Sequence, residues 1–176
     1  DGKNAVTRSQ LKQRKIVATG TDPQTGNRVR AFEQATPGDM VDTTGNRYRG
    51  WYVDLDPGER IITSSQFYGS VLVASSIIPS PDPCVPGGTG YVNAIDPFTG
   101  AALGTPFFTD YGTLTVGGQK IPVGSVDFGI GMPGQAQIVG DKLVVGGSTG
   151  EIASSGVNLN GNAIPHRINW RELIRE

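Results

Sequence analysis

Apolar runs in this chain are short, and each is cut off within a strand's length by Gly, Pro, Asp or Asn. Punctuation that dense leaves little room for helices. Helical periodicity is confined to residues 9–15 and 169–175, two turns each. Everything between reads as strands rich in Val, Ile, Tyr and Phe: 15–20, 28–33, 48–55, 60–67, 70–78, 91–96, 101–107, 113–116, 120–123, 136–139, 142–147 and 151–154. The 26 glycines among 176 residues are about twice the ~7% of average usage. Because Gly reaches positive φ without steric cost, an excess of it among strong apolar runs points to frequent reversals between strands, and so to an all-β fold.

The reversals share a chemistry. Asp22-Pro-Gln-Thr-Gly26 and Asp96-Pro-Phe-Thr-Gly100 both read D-P-x-T-G. In that order Asp bonds the turn's backbone, Pro presets the first corner and Gly takes the left-handed position. Thr43-Thr44-Gly45-Asn46 and Ser148-Thr149-Gly150 are looser copies. All are read as hairpin turns.

A longer repeat decides the architecture. Residues 65–74 align with 136–145 at an offset of 71, and Thr89-Gly90-Tyr91-Val92 then matches Thr149-Gly150-Glu151-Ile152 after an eleven-residue insertion in the first copy. Strand, tight turn at Gly, strand, loop, third strand is the plan of a β-propeller blade, whose faces only neighbouring blades can cover. The chain is therefore expected to be a partial β-propeller of two to three antiparallel blades. Its units are a partial blade over 1–57, a blade over 58–108, an insertion or linker over 109–133 and a blade over 134–176 that ends in a strand at 167–173. Closed propellers have four to eight blades, so other segments of a parent protein are expected to complete this one.

Composition excludes several functions. Fifteen Lys and Arg against sixteen Asp and Glu give a net charge of −1, with no basic stripe, so nucleic acid is not an expected partner. No stretch approaches the ~20 apolar residues of a transmembrane helix, and the Asp-Gly-Lys start carries no signal pattern, which suggests a processed chain or a fragment.

Catalytic constellations are missing from the sequence. His166 is the only histidine and stands beside Pro165 without acids or Cys at ligand spacing; it reads as a turn or surface residue. Gly129-Ile-Gly131-Met-Pro-Gly134 lacks the context of a dinucleotide loop and reads as a connection between blades. Asp54, Asp56 and Glu59 put three carboxylates in six residues, and are read as a solvated strand end. Trp51 and Trp170 are read as core anchors. The one cysteine, Cys84, lies in a loop of four prolines and two glycines, and either a buried free thiol or a disulfide to another segment fits it. Asp82, Cys84, Gly87 and Gly88 of this loop are the candidate protein-contact residues.

Taken in order, Arg49-Gly-Trp-Tyr-Val-Asp-Leu55, Gly58-Glu-Arg-Ile61, Pro81-Asp-Pro-Cys84, Gly87-Gly88-Thr-Gly90, Ala94-Ile-Asp96, Thr99-Gly100 and Arg167-Ile-Asn-Trp-Arg-Glu-Leu173 resemble the C-terminal propeller region of the PilY/PilC family. The resemblance implies a non-enzymatic type IV pilus tip and assembly protein, secreted through the periplasm and outer membrane to the bacterial surface. It also implies surface adhesion and twitching motility, with the remainder of the parent tip protein, minor pilins and host or abiotic surfaces as partners. Many members carry a D-x-[DN]-x-[DN]-G calcium loop; here residues 104–112 offer Asp110 alone, and Asn158-Leu-Asn160-Gly161-Asn162 has the spacing without charge, so no cofactor or metal is expected. Two other readings stay open: a fragment of a quinoprotein-like propeller enzyme, and a carbohydrate-binding propeller that uses exposed aromatics such as Tyr111.

Overall fold

A computed structural model describes residues 6–82 and 87–159. One turn of 3-10 helix, Arg8–Gln10, precedes thirteen strands: β1 (Lys12–Arg14), β2 (Ile16–Thr21), β3 (Arg28–Phe32), β4 (Trp51–Val53), β5 (Gln66–Tyr68), β6 (Val71–Pro79), β7 (Gly88–Ile95), β8 (Thr113–Val116), β9 (Gln119–Pro122), β10 (Ser125–Asp127), β11 (Gln137–Val139), β12 (Lys142–Gly146) and β13 (Ile152–Gly156). The all-β expectation holds. No helix among the described residues is long and apolar enough to cross a membrane. Cys84, the terminal strand at 167–173, His166 and Trp170 lie outside the described residues.

A six-stranded antiparallel sheet, in the order β2-β3-β10-β7-β6-β5, forms the middle of the molecule; β11-β12-β13 form a second sheet, β8-β9 a hairpin and β1-β4 a parallel pair. The repeat seen in the sequence is a repeat in space. β5 and β11 start 71 residues apart, as do β6 and β12, and the glycines between them, Gly69 and Gly140, have φ of 63° and 65°. In each copy a third strand pairs with the second, β7 with β6 and β13 with β12.

Strand alternation divides the side chains of the large sheet. Cross-strand register puts Phe67, Leu72, Ala74, Asn93 and Ile95 on one face, and Val71, Val73, Ser75, Val92 and Ala94 on the other. Val71, Val73, Val92 and Ala94 of the second set, with Val29 and Val126, belong to one buried cluster with Phe107, Phe108, Tyr111, Leu143, Val145 and Val157. Burying each such aliphatic side chain contributes roughly 1.5–3 kcal/mol. Edge-to-face contacts among Phe107, Phe108, Tyr111 and Phe128 fill the middle of it. The first face meets the stretch 51–65, which crosses the sheet over a recess of about 260 Å³ lined by Trp51, Leu55, Ile61, Leu72 and Ile95. The large sheet thus packs on one face against the β11–β13 sheet and on the other against the 51–65 stretch, as in part of a propeller.

Three elements differ from the sequence reading. Residues 9–15 do not form a helix: seven residues cannot sustain one alone. Their extended backbone pairs with β4 instead, beginning at Lys12 N–H to the Gly50 carbonyl, 2.9 Å. Residues 101–107 do not form a strand. Ala101 and Leu103 turn inward and Ala102 donates to Glu33, 2.8 Å, so the chain is extended and anchored without a ladder. Within 60–67 only Arg60, bridged to Ile77, and the last residues join the sheet. β10 is an addition; three residues inserted between β3 and β7 show no period long enough to read.

Candidate functional site

Polar residues standing inside apolar runs mark the site. Arg30 in Arg28–Phe32, Ser76 in Val71–Pro79 and Asn93 in Gly88–Ile95 all project from the face that the 51–65 stretch covers. Arg30 is essentially fully buried, and Nη1 donates to both oxygens of Glu59 at 3.0 and 2.9 Å while Nη2 reaches Asp56 at 2.6 Å. Its guanidinium lies 3.5 Å from the centroid of the Tyr91 ring, a cation–π contact that further compensates a desolvated charge. From Glu59 the network runs on: Ser76 Oγ donates to Glu59 at 2.5 Å, Asn93 Nδ2 to Ser76 Oγ at 3.2 Å, and Ser125 Oγ to Asn93 Oδ1 at 2.7 Å.

The local sequence explains why these groups converge. Asp56-Pro-Gly-Glu59 is a tight turn in which Glu59 N–H donates to the Asp56 carbonyl, 2.9 Å, and the Glu59 carboxylate caps the Asp56 N–H, 3.2 Å. Next to it Arg60 bridges Ile77 in both directions, so the turn is held against the edge of β6. The reading of this acidic run as a solvated strand end is therefore corrected. Asp54 is exposed and pairs with Arg8, but Glu59 is buried as the counter-ion of Arg30. A single sequence shows the three acids; it does not show that Arg30, 29 residues before Glu59, pairs with two of them.

A second clamp holds the N-terminal unit. Trp51 Nε1 donates to the Pro97 carbonyl at 2.8 Å and Arg14 Nε to the Thr99 carbonyl at 2.8 Å, both within the turn 96–100. Arg14 is buried and paired with Asp39 at 2.7 Å. The hydrogen bonds from Arg14 depress the Asp39 carboxyl to about 2 from its ordinary 3.8. A depressed folded-state value stabilises above the ordinary value and is lost as pH falls from about 4 through about 2. Between pH 5 and 2 the wild-type chain is expected to lose about 1–2 kcal/mol more than Asp39→Asn does, the upper figure being reduced by screening near the surface. Urea unfolding across that range measures it, and parallel curves would remove the pair from the account.

The turns behave as their sequence predicts. In both D-P-x-T-G turns the Gly N–H returns to the Asp carbonyl, at 2.9 Å for Gly26 and 2.8 Å for Gly100, and the Asp side chain accepts from the next backbone amides. Asp42 in its own turn accepts from Thr44 and Asn46 in the same way.

The proposed contact loop sits elsewhere, at the connection between β6 and β7. Asp82 is exposed there, the Gly87 carbonyl accepts from Ser80 N–H at 2.9 Å, and Gly88 closes the ladder opposite Pro79. Gly87 and Gly88, with Pro79 and Pro81, line a recess of about 360 Å³ there. Tyr111 departs from its reading as an exposed aromatic: it is buried in the core, with its hydroxyl accepting from Asn27 at 2.6 Å. Burial pushes that hydroxyl's pKa up. Among the described residues no three His, Cys, Asp or Glu side chains are grouped to hold a metal ion. The ionic centre, in which Arg30 holds both Asp56 and Glu59, fastens the 51–65 stretch to the large sheet.

No family model matches the chain. It is 35% identical over 136 residues to a type IV pilus biogenesis factor PilY1 homolog of Xylella fastidiosa, covering 72% of this chain and 11% of that protein. It is 26% identical over 187 residues to the type IV pilus biogenesis factor PilY1 of Pseudomonas aeruginosa, covering 96% of this chain and 16% of that protein. The chain thus spans about a tenth to a sixth of the length of these relatives. Its fold matches the crystal structure of the Pseudomonas aeruginosa PilY1 C-terminal domain with a TM-score of 0.63 at 22% identity, over 87% of this chain and 32% of that one.

Proposed function

Because this chain belongs to the PilY/PilC family and corresponds to part of its C-terminal region, we propose that it is a non-catalytic propeller segment of a type IV pilus biogenesis factor. In this reading it supports pilus assembly at the cell surface and, through the parent protein, adhesion and twitching motility. Its partners are the rest of that protein, minor pilins and the surface to which the cell attaches. The observation that carries the reading is the use made of the family signature. Trp51 grips the turn 96–100, and the acids that follow it, Asp56 and Glu59, neutralise Arg30. Residues that look most like a site in the sequence are spent on holding propeller units together, which suits a scaffold. The loop of Asp82, Cys84, Gly87 and Gly88 is then a contact surface at the end of a long hairpin.

In the bacterium that makes the protein, in-frame removal of residues 6–159 is expected to reduce surface pili at least tenfold and to abolish twitching zones, with the shortened protein secreted at the normal level. Counting pili by electron microscopy decides it. Normal piliation with the shortened protein present would end this reading.

A further inference from the structure

We propose that the N-terminal unit carries a binding surface for an acidic polysaccharide, built from Arg8 and Lys12 on one segment and Arg47 and Arg49 on another. The inference goes beyond the pilus reading, since it concerns what this surface recognises. The net charge of −1 conceals a division along the chain. Residues 8–53 hold eight basic side chains against four acidic ones, whereas residues 54–159 hold three against nine. Of the eight, Arg14 and Arg30 are buried with acid partners and Arg28 is paired with Asp127. Four of the remaining five gather around residues 47–52.

No basic stripe shows in the sequence because its two halves lie far apart, with Arg47 35 positions after Lys12. The parallel pair of β1 and β4 joins them. Arg49 N–H donates to the Gln10 carbonyl at 2.8 Å, and Lys12 N–H to the Gly50 carbonyl at 2.9 Å. Lys12 Nζ then lies 6.0 Å from the centroid of the Tyr48 ring, which Arg47 and Arg49 flank in sequence, and the Arg8 guanidinium lies 4.2 Å from that of Tyr52. Arg8, Arg47 and Arg49 are all exposed. Arg8 is paired with Asp54, but Arg47 and Arg49 form no salt bridge among the described residues. Asp42, in the adjoining turn, is occupied by the amides of Thr44 and Asn46.

The chemistry of these groups selects the ligand. A guanidinium fork matches a carboxylate with two parallel hydrogen bonds, and Arg47 and Arg49, separated by one residue, put two such forks within reach of one polymer chain. Tyr48 and Tyr52 are half-buried and hold cations over their rings, so the surface reads charge rather than stacked bases. Asp42 and Asp54 stand among the cations and temper the field, which suits a polymer with one carboxylate per sugar better than the dense phosphates of a nucleic acid.

The test uses the complete parent protein and immobilised polygalacturonate, with binding measured by biolayer interferometry. Arg47→Ser with Arg49→Ser is compared with Lys120→Ser with Lys142→Ser, which removes the same charge from exposed positions on β9 and β12. The wild type is expected to bind polygalacturonate but not uncharged dextran, and to weaken steeply as salt rises, because exposed charges act over only ~8 Å at physiological ionic strength. The Arg47/Arg49 variant should bind at least tenfold more weakly and the Lys120/Lys142 variant within twofold of the wild type, both with unchanged thermal midpoints. Absence of binding by the wild type, an Arg47/Arg49 variant within twofold of it, equal losses in the two variants, or tighter binding to single-stranded DNA of matched charge would each overturn the proposal. Binding is read on the protein and piliation on the cell, so this inference and the pilus reading fail separately.

Discussion

Glu59→Ala is expected to destabilise the chain by about 3–5 kcal/mol, the usual cost of stranding one partner of a buried ion pair. Arg30 is buried, its Nε lacks a partner among the described residues, and Asp56, itself more than half exposed, holds only one end of the guanidinium. Loss of Glu59 also removes the acceptor of Ser76, and so unsettles the Ser76–Asn93–Ser125 chain beneath it. Glu59→Gln keeps one acceptor oxygen and is expected to cost less. Replacing both partners, Arg30→Met with Glu59→Leu, should recover most of the loss, because two apolar side chains need no compensation in a buried site. Urea unfolding of the four proteins gives the comparison. A change below about 1 kcal/mol for Glu59→Ala would show that the pair is not holding the stretch 51–65 on the sheet.

The second large effect comes from two glycines that occupy the same place in the same motif. Gly26 and Gly100 end the two D-P-x-T-G turns with φ of 74° and 69°, a region where an L side chain costs about 1–2 kcal/mol. At Gly26 an added Cβ meets nothing within 4 Å; at Gly100 it would stand 2.5 Å from Trp51 ring atoms. Gly26→Ala is therefore expected to cost about 1–2 kcal/mol. Gly100→Ala adds overpacking of about 1–3 kcal/mol against the indole and breaks the clamp between the N-terminal unit and the large sheet. Equal midpoints for the two variants in thermal unfolding would contradict this. With Gly100→Ala, Trp51 fluorescence should also shift toward that of a solvent-exposed indole.

Those two glycines show how legibility varied along the chain. As turn residues they were equally readable, because the turn is a local matter of Asp, Pro and Gly. Their different weight was not readable, because the Trp51 ring arrives from 49 positions away in sequence. The same division separates Asp54 from Glu59. Both are acids near a strand end, yet one lies in water beside Arg8 and the other is sealed under a turn against Arg30. Tyr111 failed for a related reason: in a Gly-rich loop it looks exposed, but the rings of Phe108 and Phe128 and the side chain of Asn27 receive it. β10 escaped because its three residues gain meaning only as the strand that joins β3 to β7.

By itself the sequence determined whatever is encoded within a few residues or within a repeat: the all-β class, the hairpin turns, the 71-residue blade plan and the family to which its ordered motifs belong. Period-two alternation and turn chemistry are local, so they survive without coordinates. Tertiary structure alone decided which acids meet which arginines, which aromatics are sealed, and which sheet faces are covered. Burial and ion pairing depend on distant segments brought together by the stacking of sheets. Nothing in the local pattern around Val71 and Val73 distinguishes them from the exposed Val139 until the neighbouring unit is seen to cover them.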